Sequence, residues 1–309
     1  MNRKNLIRSS AITTQELRTQ KIKEKLIEAA LLVCAASSVF VTVGIVYILI
    51  RDSLPFFNTV PLKDFLTDTQ WTPLFEDAHF GIAPLLTGTL LSTLVAISVA
   101  IPLGTIIAVY LSEYCSHRAK EILKPTLELL AAVPTVVYGY FALLFVTPLL
   151  QKFYPDLNGF NVLSAGLVMG IMIVPYVSSL TEDAMRAVPG HFREAAYAMG
   201  ASRIQTSFRV IVPAALSGIS SAYILGISRA LGETMIVAIA AGMQPTLTWN
   251  PTEPAATITA FIVQVSLGDL PHGTIGYQSI YVAGLTLLCI TLFFNLIGFW
   301  FRKKYREAY

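Results

Sequence analysis

The sequence has little cysteine and little charge. Only three of its 309 residues are cysteines, and they lie too far apart to build a disulfide framework or a paired-cysteine metal site. Charged residues make up 13% of the chain, against about 25% in soluble domains. With 54% hydrophobic residues, the composition excludes a disordered chain and argues against a water-soluble enzyme. The net charge of +3 is too small to indicate a nucleic-acid partner.

Common catalytic motifs are also missing. The dipeptide Gly-Lys never occurs, so the chain lacks the phosphate-binding loop of ATPases, and we expect no cofactor on it. Neither HExxH nor GxSxG is present, and the four histidines are scattered through predicted loops. No metal site is predicted, and an intramembrane enzyme is a weak alternative because no nucleophile and base lie together.

What the sequence does contain is a series of long runs without charge. A helix needs about 20 apolar residues to span the hydrocarbon core. A run at 210–241 is interrupted only by Arg229 and Glu233, and five others are uninterrupted: 29–50, 81–112, 129–151, 162–181 and 279–301. These runs predict an all-α membrane protein with six transmembrane helices. The expected parts are a cytoplasmic segment (1–28), a six-helix domain (29–301) and a C-terminal tail (302–309).

Orientation follows from the lysines and arginines of the loops. With the N-terminus in the cytoplasm, the inner segments hold 18 basic residues and the outer loops hold three, Arg51, Lys63 and Lys152. Both termini are therefore predicted to be cytoplasmic. The loops at 51–80 and 242–278 are predicted to be external.

Three prolines, Pro102, Pro134 and Pro175, fall inside predicted spans, where the missing N–H and the ring bend a helix. Kinks that shape the bundle are the simpler interpretation, and a moving gate is the alternative. In the second external loop, Thr257 to Leu267 can form an amphipathic surface helix.

One carboxylate lies at the cytoplasmic edge of the third predicted helix. Glu128 follows Lys124 by four residues, so an ordinary helical ion pair is expected. A role for Glu128 in a cytoplasmic gate is the alternative.

A cytoplasmic segment between the fourth and fifth predicted helices combines helix starts and stops. Pro189 breaks the preceding helix, and a short helix can follow with Glu194 in its first turn, where negative charge suits the helix dipole. Gly200 suits a left-handed C-cap, and Ser202 can cap a second helix running to Pro213. Such a slim, capped helix suits insertion into a partner's groove. A surface helix without a partner is the alternative.

The same segment has a spaced motif. Glu194-Ala195-Ala196, then Gly200, then Val210-x-Val212-Pro213, resembles the EAA loop of ABC importer permeases. Valines at the two apolar positions, in place of Ile and Leu, are the only departures. The resemblance implies that residues 186–213 dock on a cytoplasmic ATPase subunit, with these as the coupling residues: Glu194, Ala195, Ala196, Gly200 and Pro213.

Two ionisable residues interrupt the fifth predicted helix. A charge at the bilayer centre costs about 2.5–3.5 kcal/mol, so Arg229 and Glu233 need a reason to be there. Four residues apart, they are expected on one helical face, where Glu233 can neutralise Arg229 when no substrate is bound. A guanidinium binds a tetrahedral oxyanion bidentately, which predicts a substrate pathway. A buried ion pair that only fixes helix packing is the alternative. Small residues on or beside this face would let another helix approach closely: Gly218, Ala222, Gly226 and Gly232.

The string from Arg229 to Glu233, Arg-Ala-Leu-Gly-Glu, is similar to one in ABC permeases that import molybdate, sulfate or phosphate. Its continuation and the segment 127–139 resemble the phosphate type. The likeness covers about residues 30–300 and is to the PstC-type permease subunits of phosphate ABC importers, in the EAA-loop family of binding-protein-dependent transport components.

This resemblance implies a type I, MetI-like permease fold in the bacterial inner membrane. It also implies a PstA-type second permease, a PstB-type ATPase dimer that binds ATP and Mg²⁺, a periplasmic PstS-type phosphate-binding protein, and surrounding lipids. No nucleic acid is expected. A permease for molybdate or sulfate is the nearest alternative. A stand-alone channel or secondary transporter would leave the EAA spacing unexplained.

Overall fold

The computed structural model describes residues 14–268, 271 and 273–304, with side-chain surroundings from Gln20 onward. Three π-helical turns lie at Tyr110–Tyr114, Ala142–Val146 and Ser207–Ile211. The described residues form these α-helices: α1 Thr14–Thr59, α2 Leu62–Thr67, α3 Ala83–Val109, α4 His117–Ala132, α5 Thr135–Phe141, α6 Thr147–Gln151, α7 Val162–Arg186, α8 Gly190–Ala198, α9 Arg203–Thr206, α10 Val212–Ala214, α11 Leu216–Leu231, α12 Met235–Ala240, α13 Ile258–Ser266 and α14 Ile275–Lys304.

Contacts divide the chain into two units, residues 1–51 and 52–309. In the first unit, the part of α1 from Gln20 to Ile50 has side chains that are exposed or half-buried. Its apolar stretch is long enough to cross a bilayer. The charged residues that precede the apolar stretch belong to the same helix, which begins at Thr14. Residues 1–13 and 305–309 of the predicted terminal segments lie outside the described part, and the predicted domain boundaries stay a prediction.

In the second unit, α7 is the central helix. It packs against α3 over the most extensive helix–helix contact described, and also against α11, α12 and α4. Met172, Ile173 and Val177 of α7 share one core cluster with the small residues Ala96 and Ala100 of α3. The described residues include four helices that are long and apolar enough to cross a membrane, and two bent helix pairs raise the number to six. The prediction of an all-α membrane fold is confirmed.

Two of the predicted spans are broken rather than continuous. The third bends by 85° between α4 and α5, because Val133 and Pro134 are extended and Pro134 becomes the residue before α5. Pro102 and Pro175, in contrast, lie inside α3 and α7 as expected. The fifth bends by 74° at Ala215 and breaks again between Gly232 and α12.

Residues 52–82, which cover nearly all of the external loop predicted at 51–80, form a small folded structure that we call the external cap. It contains α2 and an isolated antiparallel bridge between Trp71 and Phe80. Trp71 is fully buried and makes edge-to-face contacts with Phe65, Phe80 and, from α13, Phe261. Gly81 packs directly against the backbone of Asp68, and a larger residue would not fit because its Cβ would overlap the carbonyl oxygen of Asp68. Aromatic packing therefore replaces the loop that the sequence predicted.

The predicted surface helix at 257–267 is present as α13, begun by a hydrogen bond from the Ala260 N–H to Thr257 Oγ1. Its position differs from the prediction. Ile258, Phe261 and Val265 are buried, and the helix packs against α14, α3 and α12. Its apolar face therefore lies against protein instead of the membrane surface.

Candidate functional site

The predicted coupling loop is folded as two short helical segments. After α7, Pro189 precedes α8, as expected for the break at this proline. Glu194 and Ala195 are exposed on α8, and Ala196 is half-buried. Because α8 already begins at Gly190, Glu194 lies just beyond the first turn, so the expectation that it lies in that turn was wrong. Glu194 and Ala195 are nonetheless exposed on the surface of the loop.

The end of α8 is a complete Schellman motif. Gly200 has a φ of +80°, its N–H donates to the Tyr197 carbonyl at 2.9 Å, and the Ala201 N–H donates to the Ala196 carbonyl at 3.0 Å. The predicted left-handed C-cap at Gly200 is confirmed. Because nothing approaches the place where a Cβ would lie, backbone conformation and not crowding favours glycine here.

The second helical segment begins with a capping box. Ser202 Oγ accepts from the Gln205 N–H, and Gln205 Oε1 accepts from the Ser202 N–H at 2.9 Å. The helical segment continues through α9 and a π-turn to α10, where Pro213 is exposed just before the 74° bend. Ser202 is therefore a cap, as predicted, and Pro213 marks the entry to the fifth span.

Four large apolar side chains of this loop are exposed. Met199 is 88% exposed, and three other large side chains from both helical segments are also exposed: Tyr197, Ile204 and Phe208. Their exposure beside Glu194 and Ala195 forms a surface suited to a partner protein. Sequence reasoning named the motif residues and missed these four, although each lies within or next to the motif.

The Arg229 side chain is exposed in the last turn of α11. Its guanidinium lies over the ring of Tyr176 on α7, 5.7 Å from the centroid. Glu233 lies beyond the end of α11, where its carboxylate accepts from the N–H groups of Met235 and Ile236 at 3.2 and 3.4 Å. Among the described residues no carboxylate pairs with Arg229. The prediction of an Arg229–Glu233 ion pair is therefore wrong. Helix α11 ends before Glu233, and the Glu233 carboxylate binds the first N–H groups of α12 instead.

The small residues near Arg229 act partly as predicted. A Cβ on Gly218 would lie 2.6 Å from the Cβ of Ala184, and one on Gly226 would lie 2.9 Å from Val177. Both glycines therefore allow close packing of α11 on α7. Gly232 is exposed and has no such neighbour among the described residues. The closely packed face of α11 is turned to α7, with Arg229 at its margin.

A buried carboxylate at the predicted cytoplasmic end of α7 was missed. The Glu182 side chain is fully buried and receives hydrogen bonds from Lys120 and Lys124 of α4. Lys124 also contacts Asp183 at 2.9 Å. The expected Lys124–Glu128 pair is not formed, because the Lys124 ammonium group pairs with Glu182 and Asp183 of α7 instead. Only the fold brings these charges together, since they lie some sixty residues apart.

Comparison with known proteins agrees with this architecture. A family model described as binding-protein-dependent transport system inner membrane component matches residues 100–307. The probable ABC transporter permease protein YqgH of Bacillus subtilis is 31% identical over 96% of this chain and 96% of its own length. The phosphate transport system permease protein PstC of Mesorhizobium japonicum is 34% identical over 74% of each chain. A probable PstC of Methanocaldococcus jannaschii is 31% identical over 82% of this chain and 87% of its own.

Solved structures share the fold at low sequence identity. A bacterial ABC transporter involved in the import of the acidic polysaccharide alginate matches with a TM-score of 0.61 at 17% identity, over 92% of this chain and 98% of that one. The inward-facing MetNI methionine ABC transporter matches with a TM-score of 0.54 at 15% identity, over 74% and 95%. These likenesses show the type I, MetI-like permease fold.

The family, the relatives and the apolar helices together define a multi-pass inner-membrane permease and not an enzyme. A permease of this kind works with a separate ATPase and a substrate-binding protein. The chain belongs to the family of binding-protein-dependent transport system inner membrane components.

Proposed function

We propose that this chain forms half of the membrane pathway of an ATP-driven phosphate importer. The other half is a PstA-type permease, the motor is a PstB-type ATPase dimer, and a PstS-type binding protein delivers phosphate from outside. The proposal is supported by the relatives that are phosphate transport permeases. ATP and Mg²⁺ bind to the ATPase, and this chain binds no cofactor.

The observation that carries the substrate assignment is that the Arg229 guanidinium is exposed and unpaired with any described carboxylate, although it lies in an apolar helix. An arginine at this depth is costly against lipid, so it faces a polar path or a second permease. Its planar donors suit two oxygens of one tetrahedral anion. Glu233 supports the path indirectly, because its carboxylate fixes the break that follows Arg229.

The coupling loop supplies the link to ATP. The exposed side of α8 and its neighbours docks on the ATPase, with Glu194, Ala195 and Ala196 on the helix and Gly200 at its end. ATP binding closes the ATPase dimer and moves α8. That movement turns the pathway from inward-open to outward-open, and phosphate from the binding protein then passes Arg229 between the two permeases.

Phosphate uptake by proteoliposomes tests the role of Arg229. The assembled complex, the binding protein and ATP are needed, with Arg118→Ala as the control because Arg118 is an exposed arginine on α4. Arg229→Ala should lower uptake about 10- to 100-fold, the loss expected for a charge-assisted hydrogen bond of roughly 1.5–3 kcal/mol. Arg229→Lys keeps the charge without the two-pronged contact and should be intermediate. Full uptake by a correctly assembled Arg229→Ala complex would refute the role.

A second oxyanion is the alternative substrate, because a guanidinium also binds other tetrahedral anions. Competition by molybdate and sulfate in the same uptake assay separates the possibilities. Uptake that resists both supports phosphate. Strong competition by either anion would change the substrate and keep the architecture, whereas uptake without ATP would contradict the role of the coupling loop.

A further inference from the structure

The coupling helix α8 contacts the rest of the protein through few side chains. No residue of α8 is fully buried, and each is either half-buried or exposed. Phe192 packs against an apolar cluster that includes Val109, Met185 and Ile211. The neighbouring residue, Arg193, reaches inward through polar contacts. These two adjacent side chains therefore attach α8 by different kinds of contact.

Arg193 makes a two-pronged ion pair with a buried carboxylate. Its Nη2 lies 2.8 Å from Glu113 Oε1, and its Nε lies 3.2 Å from Glu113 Oε2. The Glu113 side chain is only 4% exposed and that of Arg193 is 21% exposed. Ser112 Oγ donates a further hydrogen bond to Glu113 at 2.8 Å. Both partners are therefore held in fixed geometry and shielded from water.

The same guanidinium also binds the last turn of α7 and the segment that follows it. Its Nη1 donates to the Val188 carbonyl and its Nη2 to the Met185 carbonyl, each at 2.9 Å. Glu113 lies in the π-turn that follows α3. One side chain on α8 therefore joins the ends of α3 and α7, the two helices with the most extensive mutual contact.

This link leads towards the predicted pathway. Along α7, Met185 and Tyr176 are nine residues apart, or roughly 14 Å at 1.5 Å per residue. Tyr176 is the residue over which Arg229 lies. The C-terminal part of α7 thus joins the end that Arg193 holds to the ring over which Arg229 lies. Phe192 adds an apolar contact, whereas the hydrogen bonds of Arg193 to Glu113 and to two backbone carbonyls are directional and hold its guanidinium in one orientation.

We propose that Arg193, paired with Glu113, is the positioning residue that transmits movement of α8 to α3 and α7. The inference rests on the proposed function, since it assumes that an ATPase docks on α8. It assigns to Arg193 a role in coupling ATP hydrolysis to transport, separate from contact with either ATP or substrate. The Glu113 carboxylate is required as its fixed partner.

The test is a double replacement that removes the link and keeps the packing. Arg193→Met with Glu113→Leu leaves no unpaired buried charge, and such apolar replacements of buried ion pairs are often neutral or stabilising for folding. In the assembled complex, we expect ATPase binding to persist. Stimulation of ATP hydrolysis by loaded binding protein, and phosphate uptake, should each fall about 10-fold, within the usual range of coupling between sites.

Single variants distinguish one link from two separate effects. If Arg193 and Glu113 act as a unit, Arg193→Met, Glu113→Leu and the double variant should lose coupling to a similar extent, not additively. Arg193→Lys keeps the charge but cannot hold the carboxylate and both carbonyls, so it should be partly coupled. If the double variant fails to assemble, Arg193→Lys decides the question by the same two assays. The control is Arg118→Ala, because Arg118 is an exposed arginine on α4.

The outcomes separate this inference from the proposed function. Normal stimulation and uptake in the double variant, or in Arg193→Lys where the double variant does not assemble, would refute the role of Arg193 and leave the importer intact. Failure of the unmodified chain to bind an ATPase would refute the proposed function itself. Lost coupling with retained ATPase binding would support both.

Discussion

The coupling loop and the external cap both connect membrane helices, but different forces shape them. In the coupling loop, residues 186–213, the two helical segments are set by local hydrogen bonds around Gly200 and Ser202. In the external cap, residues 52–82, the chain is held by buried aromatic rings such as Trp71 and its distant partner Phe261. The loop is largely exposed, whereas the cap shares a buried core with α3, α13 and α14.

This difference matches what each region can do. A loop fixed by its own caps keeps its shape with few tertiary contacts, so its outer surface stays available to a partner. A cap fixed by aromatic packing is rigid as a unit and contributes to the stability of the helices beside it. Damage to the loop should therefore affect coupling, and damage to the cap should affect stability.

The largest effect is expected from Trp71→Ala in the cap. Removal of a fully buried tryptophan leaves a cavity, and such changes typically cost about 3–5 kcal/mol of unfolding free energy. Limited proteolysis of the purified complex should show faster cleavage within 52–82, and thermal unfolding should shift to lower temperature. ATPase binding should persist because the coupling loop is unchanged.

The matched control is Trp71→Phe. It keeps an aromatic ring and removes the indole N–H, which has no hydrogen-bond partner among the described residues. Its loss of stability should be much smaller. Equal protease resistance of Trp71→Ala and the unmodified protein would contradict the idea that aromatic packing holds the cap.

An intermediate effect is expected from Gly200→Val in the coupling loop. A residue with a Cβ at a φ of +80° costs roughly 1–2 kcal/mol, which shifts the loop's conformational equilibrium about 5- to 30-fold. Stimulation of the ATPase by loaded binding protein should fall, while thermal unfolding should shift less than in Trp71→Ala. The control is Gly190→Ala, because Gly190 has open space around it and no positive φ. Unchanged stimulation in Gly200→Val would count against the loop's role.

The smallest effect is a pH dependence of the cap. Asp68 accepts a hydrogen bond from His79 Nδ1 at 2.9 Å, which raises the pKa of His79 above its ordinary value despite some desolvation. Burial raises the pKa of Asp68, but bonds from His79 and the Gln70 N–H outweigh it, so that pKa is lowered. The pair thus stabilises the cap where His79 is protonated and Asp68 is ionised.

Proteolysis of the cap at several pH values tests this sign. The contribution of His79 is complete below its unfolded pKa of about 6.5 and is lost as pH rises through the higher folded value. The contribution of Asp68 is lost as pH falls through a value below its usual 3.9 or so. Protection should therefore be greatest in mild acid, and His79→Gln should remove the decline at higher pH. A decline that persists in His79→Gln would refute the assignment.

At the candidate site, local chemistry was predictable and pairing was not. The cap at Gly200 and the box at Ser202 depend on residues within a few positions of each other, so their spacing is sufficient to predict them. Arg229 and Glu233 are equally close in sequence, yet α11 ends between them and they do not pair. The link between Arg193 and Glu113 joins residues eighty positions apart, and no local pattern indicates it.

The sequence by itself determined the membrane class, the six apolar segments and the coupling motif, because hydropathy and capping depend on near neighbours. It did not determine that two segments bend by 85° and 74°, that aromatic rings build the external cap, or that α4 pairs with Glu182. Those features depend on which distant side chains meet once α7 is packed at the centre. A charged side chain needs a partner once it is buried, and the tertiary structure determines which side chains are buried.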